Sequence, residues 1–163
     1  MLVYLRHGDD RGDDIYRHDR RLNGRGRTDA AKEARRLIET LGHPDVVYVS
    51  PFRRAKETLE CMSAVFERTI ETHLDSRIAQ HLSKRQRDNP SVSPETLALV
   101  DVEEGGDAFR RRIAGHVRAV RSQAQAKSVW AITHQGVIEE VASQFGVKIS
   151  GDLDFLDYIV MIR

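Results

Sequence analysis

The sequence contains a single cysteine, Cys61, in 163 residues. One thiol excludes an intramolecular disulfide framework and a zinc site built from several thiolates of the same chain. The chain also lacks any run of about 18 apolar residues, the length that a membrane-spanning helix needs. The segment from Met1 to His7 is too short and too soon charged for a secretion signal, so we expect a cytoplasmic protein with no membrane contact.

An excess of charge of either sign is missing as well, because 26 Lys and Arg residues face 25 Asp and Glu residues. A dedicated nucleic-acid-binding protein normally shows a strong basic excess, so we expect no nucleic-acid partner. Apolar residues make up 40% of the chain and charged residues 31%, which is typical of a protein that closes a hydrophobic core. No repeat or linker divides the sequence, and its length predicts one domain over residues 1–163.

Short runs rich in β-branched residues alternate with segments of helical periodicity. The runs predict four buried strands and a weaker fifth at 69–72; the four are Leu2–Leu5, Val46–Val49, Val129–Thr133 and Tyr158–Ile162. Apolar stripes predict helices over 28–41, 52–67, 107–126 and 136–145, with Asn23 as N-cap of the first and Gly42 as its stop signal. This alternation predicts an α/β three-layer sandwich, with a mainly parallel central sheet and helices on both faces.

Basic and imidazole side chains follow three of the predicted strands. Arg6-His7-Gly8 comes directly after the first strand, Arg54 comes shortly after the second, and His134 follows the fourth. Ligands of such sheets bind outside the carboxyl ends of the strands. We therefore expect these side chains to meet at one edge of the sheet.

The start of the second helix breaks a local rule of helix formation. Ser50 is a candidate N-cap and Pro51 suits the first helical position, but Arg53 and Arg54 then fall where the helix dipole repels cations. A bound anion would remove the conflict, since free backbone N–H groups and a guanidinium would both face it. We interpret this segment as an anion site; the alternative is a solvated pair of arginines.

Several strings along the chain support one another. They are Arg6-His7-Gly8, Leu22-Asn23-x-x-Gly26, Ser50-Pro51-Phe52-x-Arg54-Ala55-x-x-Thr58, Phe109-x-x-Arg112-Ile113 and the late strand that ends in His134. Together, and in this order, they resemble the motifs of the histidine phosphatase superfamily, also called phosphoglycerate mutase-like. Within this superfamily the chain is most similar to the SixA-type phosphohistidine phosphatases, both in its small size and in its Arg6-His7-Gly8-Asp9 string.

The resemblance implies a metal-independent phosphatase that uses no cofactor. His7 would attack phosphorus in line and form a phosphohistidine intermediate, which water then hydrolyses. Its attacking nitrogen must be unprotonated, so the other ring nitrogen should donate to a backbone carbonyl. The substrate would be held by residues that the motifs supply: Arg6, Gly8, Asn23, Arg54 and His134.

One position departs from the family pattern. The family's usual proton donor is a glutamate after the third strand, whereas Gln80 stands near that position and cannot act as an acid. Glu104 roughly matches another glutamate of the family and is a candidate catalytic acid; the other candidates are His81, Asp9 and Asp10. A missing acid is most harmful to an alkoxide leaving group, so we favour phosphohistidine and other activated phosphates as substrates.

Two other functions stay open. One is a phosphoglycerate mutase or a phosphomonoesterase acting on small metabolites, and the more distant one is a catalytically weak phosphate-binding module. The partner is accordingly a phosphorylated protein or a small phosphorylated metabolite. The polar stretch 79–102, with a short helix at 94–99, predicts a short cover that suits a protein substrate, or else a solvated loop. The arginine-rich stretch 16–27 is interpreted as solvent-exposed, with attraction of an anion as the alternative.

Overall fold

The computed structural model describes residues 1–12, 20–81 and 105–161. Its strands are β1 (Leu2–Arg6), β2 (Val46–Val49), β3 (Glu71–Leu74), β4 (Val129–Thr133) and β5 (Tyr158–Met161). Its helices are α1 (Gly24–Leu41), α2 (Arg53–Ser63), α3 (Gly106–Gln123) and α4 (Gln135–Gln144), with a 3₁₀ turn at Ser76–Ile78. Outside the described residues lie the helix predicted at 94–99, residue Glu104, and Ile162, the last residue of the strand predicted at Tyr158–Ile162.

The five strands form one sheet in the order β3-β2-β4-β1-β5. All neighbours run parallel except β5, which is antiparallel to β1. Val129 at the start of β4 pairs with Leu2 on one side and with Val46 on the other. Because β4 lies between β1 and β2, the carboxyl ends of these three strands lie side by side. Nowhere in the described ranges is a helix long and apolar enough to cross a membrane.

Side chains along each central strand alternate between two hydrophobic cores. Leu2 and Tyr4 of β1 pack with residues of α3 and α4, whereas Val3 and Leu5 pack with residues of α1 and α2. Strand periodicity places successive side chains on opposite faces of a sheet, so two helices cover each face. The predicted α/β three-layer architecture is confirmed.

The start of the first helix is fixed by its N-cap rather than by its stripe of apolar residues. The side chain of Asn23 accepts the N–H of Gly26 at 2.7 Å, as predicted for an N-cap, and Gly42 ends the helix with a φ of 80°. Helix α1 therefore begins at Gly24, four residues before the predicted start. Its first turn is mostly exposed, so apolar periodicity does not detect it.

Several other predicted boundaries are wrong. Helix α2 ends at Ser63 rather than at 67, and α3 ends at Gln123 rather than at 126. Strand β3 occupies Glu71–Leu74 rather than 69–72, because backbone pairing with β2 fixes its position and all four of its residues are exposed. Helix α2 begins at Arg53 rather than at 52, so Pro51 is not its first helical residue. Its N-cap is Phe52, whose carbonyl accepts the N–H groups of Ala55 and Lys56, and no side chain caps it.

Candidate active site

A cavity of about 490 Å³ opens at the carboxyl ends of β1, β2 and β4. Its described wall is rich in cations and imidazoles, among them Arg6, Arg11, Arg20, Arg54, His7 and His134. The sheet order explains this composition, since each of the three adjacent strands delivers its following residues to the same edge.

His7 follows β1 directly and is 5% exposed. Its backbone N–H donates to Thr133 at 3.0 Å, which continues the β1–β4 ladder. The ring Nδ1 lies 2.8 Å from the carbonyl oxygen of Gly8. Since a carbonyl only accepts, Nδ1 carries the proton and Nε2 keeps its lone pair, which accepts from Nε of Arg54 at 3.0 Å. The nitrogen at the cavity is therefore the unprotonated one.

Two histidines of the cavity, His7 and His134, have lowered pKa values that favour the neutral ring. Burial lowers the pKa of His7 well below its ordinary value, and the nearby charge of Arg54 lowers it further. The pKa of His134 is likewise lowered, first by its burial and then by Arg54. The two rings meet edge to face with their centroids 5.2 Å apart.

Arg54 connects the nucleophile candidate to the other side chains of the site. It lies in the first turn of α2 and is 5% exposed. Its Nη2 donates to Nδ1 of His134 at 3.3 Å and to Oε1 of Gln80. Because Nδ1 of His134 accepts, Nε2 of that ring donates to the hydroxyl of Ser50 at 2.8 Å. One guanidinium thus touches two imidazoles and one amide.

Arg6 is fixed at the cavity wall by polar and stacking contacts. Its Nη1 donates to Oε1 of Gln135 at 3.2 Å and to the carbonyl of Leu153. Its guanidinium lies 4.3 Å from the centroid of the Phe155 ring. Burial lowers the pKa of Arg6 from a very high ordinary value. Such anchoring orients a charged group before any ligand arrives.

Four of the predicted site residues, Arg6, His7, Arg54 and His134, come together at this cavity. Gly8 contributes to the site through its backbone: its carbonyl accepts from the His7 ring, and its N–H donates to the hydroxyl of Thr58 at 3.0 Å.

Asn23 does not join this group. Its side chain caps α1 and donates to the carbonyl of Arg11 at 2.9 Å, and the described cavity wall does not include it.

The structure places the candidates for the catalytic acid in different surroundings. A bidentate pair with Arg11 holds the pKa of Asp9 down at about 2, so Asp9 is a poor proton donor. Asp10 and His81 both line the cavity, and Asp10 is 4% exposed. Gln80, also in the wall, only accepts from Arg54 there. Glu104 lies outside the described residues.

Two contributors to the site were missed by sequence reasoning. Ser50 was predicted as a helix cap, but its hydroxyl bonds to His134 because the chain enters α2 two residues later. The stretch 16–27 was interpreted as solvent-exposed, with attraction of an anion as the alternative, and Arg20 of that stretch lines the cavity and lies 3.3 Å from Asp10. The spacing of Arg20 carries no signal that distinguishes it from the neighbouring arginines.

The described residues hold no group of three or more His, Cys, Asp or Glu side chains suited to a metal ion. The positive charge at the cavity is supplied by guanidinium groups instead.

Comparison with known proteins adds to this geometry. Residues 2–150 match the model of the histidine phosphatase superfamily, branch 1. Among curated protein sequences there is no significant match.

Solved structures of similar fold include three phosphatases. A mycobacterial glucosyl-3-phosphoglycerate phosphatase is 19% identical, with a TM-score of 0.67 over 96% of this chain and 87% of that chain. The protein histidine phosphatase SixA, complexed with tungstate, is 20% identical, with a TM-score of 0.59 over 86% and 74%. A phosphoserine phosphatase from Entamoeba histolytica, complexed with 3-phosphoglyceric acid, is 16% identical, with a TM-score of 0.61 over 90% and 80%. These likenesses show the shared fold.

Proposed function

Because the chain belongs to the histidine phosphatase superfamily, we propose that it removes a phosphoryl group from a phosphorylated substrate by way of a covalent intermediate on His7. The observation that carries this proposal is the state of the His7 ring. Its Nδ1 is tied to the carbonyl of Gly8, and its unprotonated Nε2 lies at a cavity lined by Arg6, Arg54 and His134. A neutral imidazole among cations is suited to attack an anionic phosphorus centre.

The proposed reaction has two displacements at phosphorus. In the first, Nε2 of His7 forms a bond to phosphorus, and the leaving group departs with the electron pair of the broken bond. In the second, water attacks phosphorus, and Nε2 recovers its electron pair as inorganic phosphate forms. Arg6, Arg54 and His134 would hold the non-bridging oxygens, whose charge is redistributed in both transition states. We expect no metal to be required, because the guanidiniums supply the positive charge.

We propose a phosphohistidine-bearing protein as the favoured substrate. Gln80 stands near the family's acid position and accepts from Arg54, so it offers no proton to a leaving group. Asp9 is held ionised by Arg11. The leaving nitrogen of a phosphoramidate can be protonated before the bond breaks, whereas an alkoxide leaves poorly without a proton donor. The similarity in fold to SixA agrees with this choice of substrate.

A phosphomonoesterase or mutase acting on small metabolites is the second candidate function. It needs a proton donor, and Glu104 precedes by two residues the cavity-lining Gly106 at the start of α3. Under this alternative Glu104 would protonate the leaving oxygen.

The catalytic proposal is tested by rapid-quench kinetics with an activated aryl phosphate, whose leaving group needs little protonation. We expect a burst of phenol equal to the enzyme concentration, together with acid-labile phosphate on the protein. His7→Ala should abolish both signals while the protein stays folded. His73→Ala is the matched control, because His73 is an exposed histidine on β3 and should keep the burst. Phosphate binding without turnover above the His7→Ala level would instead identify a binding module.

The substrate proposal is tested with a panel of phosphohistidine peptide, phosphoserine peptide and 3-phosphoglycerate. We expect the phosphohistidine peptide to have the highest kcat/KM, and Glu104→Gln to leave that value unchanged. Efficient interconversion of phosphoglycerates would support the mutase alternative. A Glu104→Gln variant that loses phosphoserine hydrolysis but keeps aryl phosphate hydrolysis would support the phosphomonoesterase alternative.

A further inference from the structure

The lone pair of the nucleophile candidate is occupied in this structure. Nε of Arg54 donates to Nε2 of His7 at 3.0 Å, so the electron pair that must attack phosphorus already accepts a hydrogen bond. In-line attack requires that this N–H turn away, because one lone pair cannot accept a hydrogen bond and form a bond to phosphorus at the same time. The N–H then needs a second acceptor, since an unpaired buried donor is unfavourable.

Asp10 offers that second acceptor. Its Oδ2 is buried, lies 3.6 Å from Nε of Arg54, and has no hydrogen-bond partner within the described ranges. Nε of Arg20 lies 3.3 Å from the same oxygen, close enough for charge attraction but not aligned as a hydrogen bond. A small rotation of the Arg54 guanidinium would bring its N–H onto this carboxylate.

The neighbouring acceptors are less suited to this exchange. Both carboxylate oxygens of Asp9 accept from Arg11, at 2.8 Å to 3.2 Å, so that group is already satisfied. Oε1 of Gln80 accepts from Nη2 of Arg54 and not from Nε. The position of Asp10 therefore matches the one N–H that must move.

We propose that Asp10 is a positioning residue that takes over the Nε–H of Arg54 and so frees Nε2 of His7 for attack. This inference rests on the proposed function of His7 as nucleophile. No proton changes owner in the step: one hydrogen bond from Nε is exchanged for another. The guanidinium remains in the site, with Nη2 still donating to His134 and Gln80.

The test compares two variants that distinguish the role of the Asp10 side chain as a hydrogen-bond acceptor from the role of its negative charge. Asp10→Ala removes the acceptor, whereas Asp10→Asn removes the charge but keeps an oxygen that can accept from Arg54. We expect the rate of phosphoenzyme formation from an aryl phosphate to fall in the order wild type, Asn, Ala. Misplacement of a catalytic group costs one to two powers of ten in rate, so the Ala variant should be slower by about tenfold or more.

Anion binding gives a readout that loss of fold would not imitate. Vanadate binds by accepting the lone pair of the nucleophile, whereas sulfate needs only the cationic cage. We expect Asp10→Ala to weaken vanadate binding and to bind sulfate at least as tightly as wild type, because a neighbouring anion is removed. Asp29→Asn, on the exposed face of α1 and paired with Arg25, is the control for loss of one carboxylate and should match wild type.

Several results would overturn the proposal. Equal phosphorylation rates in wild type and Asp10→Ala would do so, as would a parallel loss of sulfate and vanadate binding, which indicates a merely structural role. If Asp10→Ala fails to fold, the near-isosteric Asp10→Leu variant, which also lacks the acceptor oxygen, decides, and a wild-type rate there refutes the idea. Absence of phosphoenzyme in the wild type is a different failure, because it refutes the proposed function itself.

Discussion

Gly26→Ala should damage both stability and catalysis, because α1 rests directly on the backbone that follows the nucleophile candidate. A Cβ at Gly26 would lie 2.2 Å from the carbonyl oxygen of Asp9 and 2.8 Å from its nitrogen. Both atoms belong to backbone, so neither can rotate away. Restoring an ordinary contact near 3.5 Å requires α1 and residues 8–10 to separate by about 1 Å.

The size of the effect follows from this separation. Forcing extra atoms into a packed interface costs typically about 1–3 kcal/mol, which lowers the melting temperature of a chain of this length by roughly 2–12 °C. The same shift strains the 3.0 Å hydrogen bond from the N–H of Asn23 to the carbonyl of Asp9. A displacement of about 1 Å at the loop that orients His7 should slow phosphoenzyme formation by up to about 100-fold.

The matched control is Gly24→Ala in the same turn of α1. Nothing lies within 4 Å of a Cβ built at Gly24, so the added methyl meets open space. Alanine favours helix over glycine, so this variant should unfold at the wild-type temperature or slightly above it. Thermal unfolding and the aryl phosphate burst are measured on both variants. If Gly26→Ala matches Gly24→Ala in both assays, the close approach of α1 to Asp9 does not matter and the reasoning is refuted.

Two further predictions concern protonation and charge geometry. The pKa values of His7 and His134 are lowered in the folded state from an ordinary 6.5, so below that pH the unfolded chain binds protons that the folded chain does not, and stability is lost as the pH falls. His134→Gln should reduce this slope by up to about 1.4 kcal/mol per pH unit in urea unfolding between pH 6.5 and 5, and identical slopes would contradict it. Arg54→Lys should lower kcat by about tenfold or more, because an ammonium cannot replace a planar two-pronged donor, whereas Arg53→Lys should keep kcat. Equal rates in the two lysine variants would show that charge alone suffices.

Much of the scaffold was predictable because its signals are local. The buried strands are runs of β-branched residues enclosed on both faces, and the cap of α1 is a contact between residues only three apart. Strand β3 was misplaced because its exposed residues carry no burial pattern and its position is set by pairing with β2. Long-range pairing is not encoded in the segment itself, which limits any prediction from that segment.

The site was predictable only where a motif marked it. The adjacency of residues 7, 54 and 134 followed from the rule that ligands bind at the carboxyl ends of parallel strands. The bond between Ser50 and His134 spans 84 positions, and it depends on where α2 begins by one or two residues. Arg20 lies beside Asp10 at the cavity, a contact that the periodicity of the sequence does not predict. Contacts of this kind depend on tertiary placement of single side chains.

The conflict at the start of α2 is resolved differently for its two arginines. Arg53 pairs with Glu57 one turn later at 3.1 Å, and the same buried carboxylate also binds Arg27 at 2.8 Å. Arg54 points into the cavity, where its Nε and Nη2 donate to the neutral groups of His7, His134 and Gln80. Neutral acceptors orient a guanidinium without cancelling its charge.

The same reasoning extends to the whole described wall of the cavity. Arg11 is neutralised by Asp9, whereas Arg6, Arg20 and Arg54 face the single carboxylate of Asp10. Guanidinium groups therefore outnumber carboxylates in the described wall, and water screens the buried charges of Arg54 and Asp10 only weakly. A bound dianion would remove that imbalance and the repulsion with the α2 dipole together, so the charge of the described wall supports the proposal that the pocket binds a phosphoryl group.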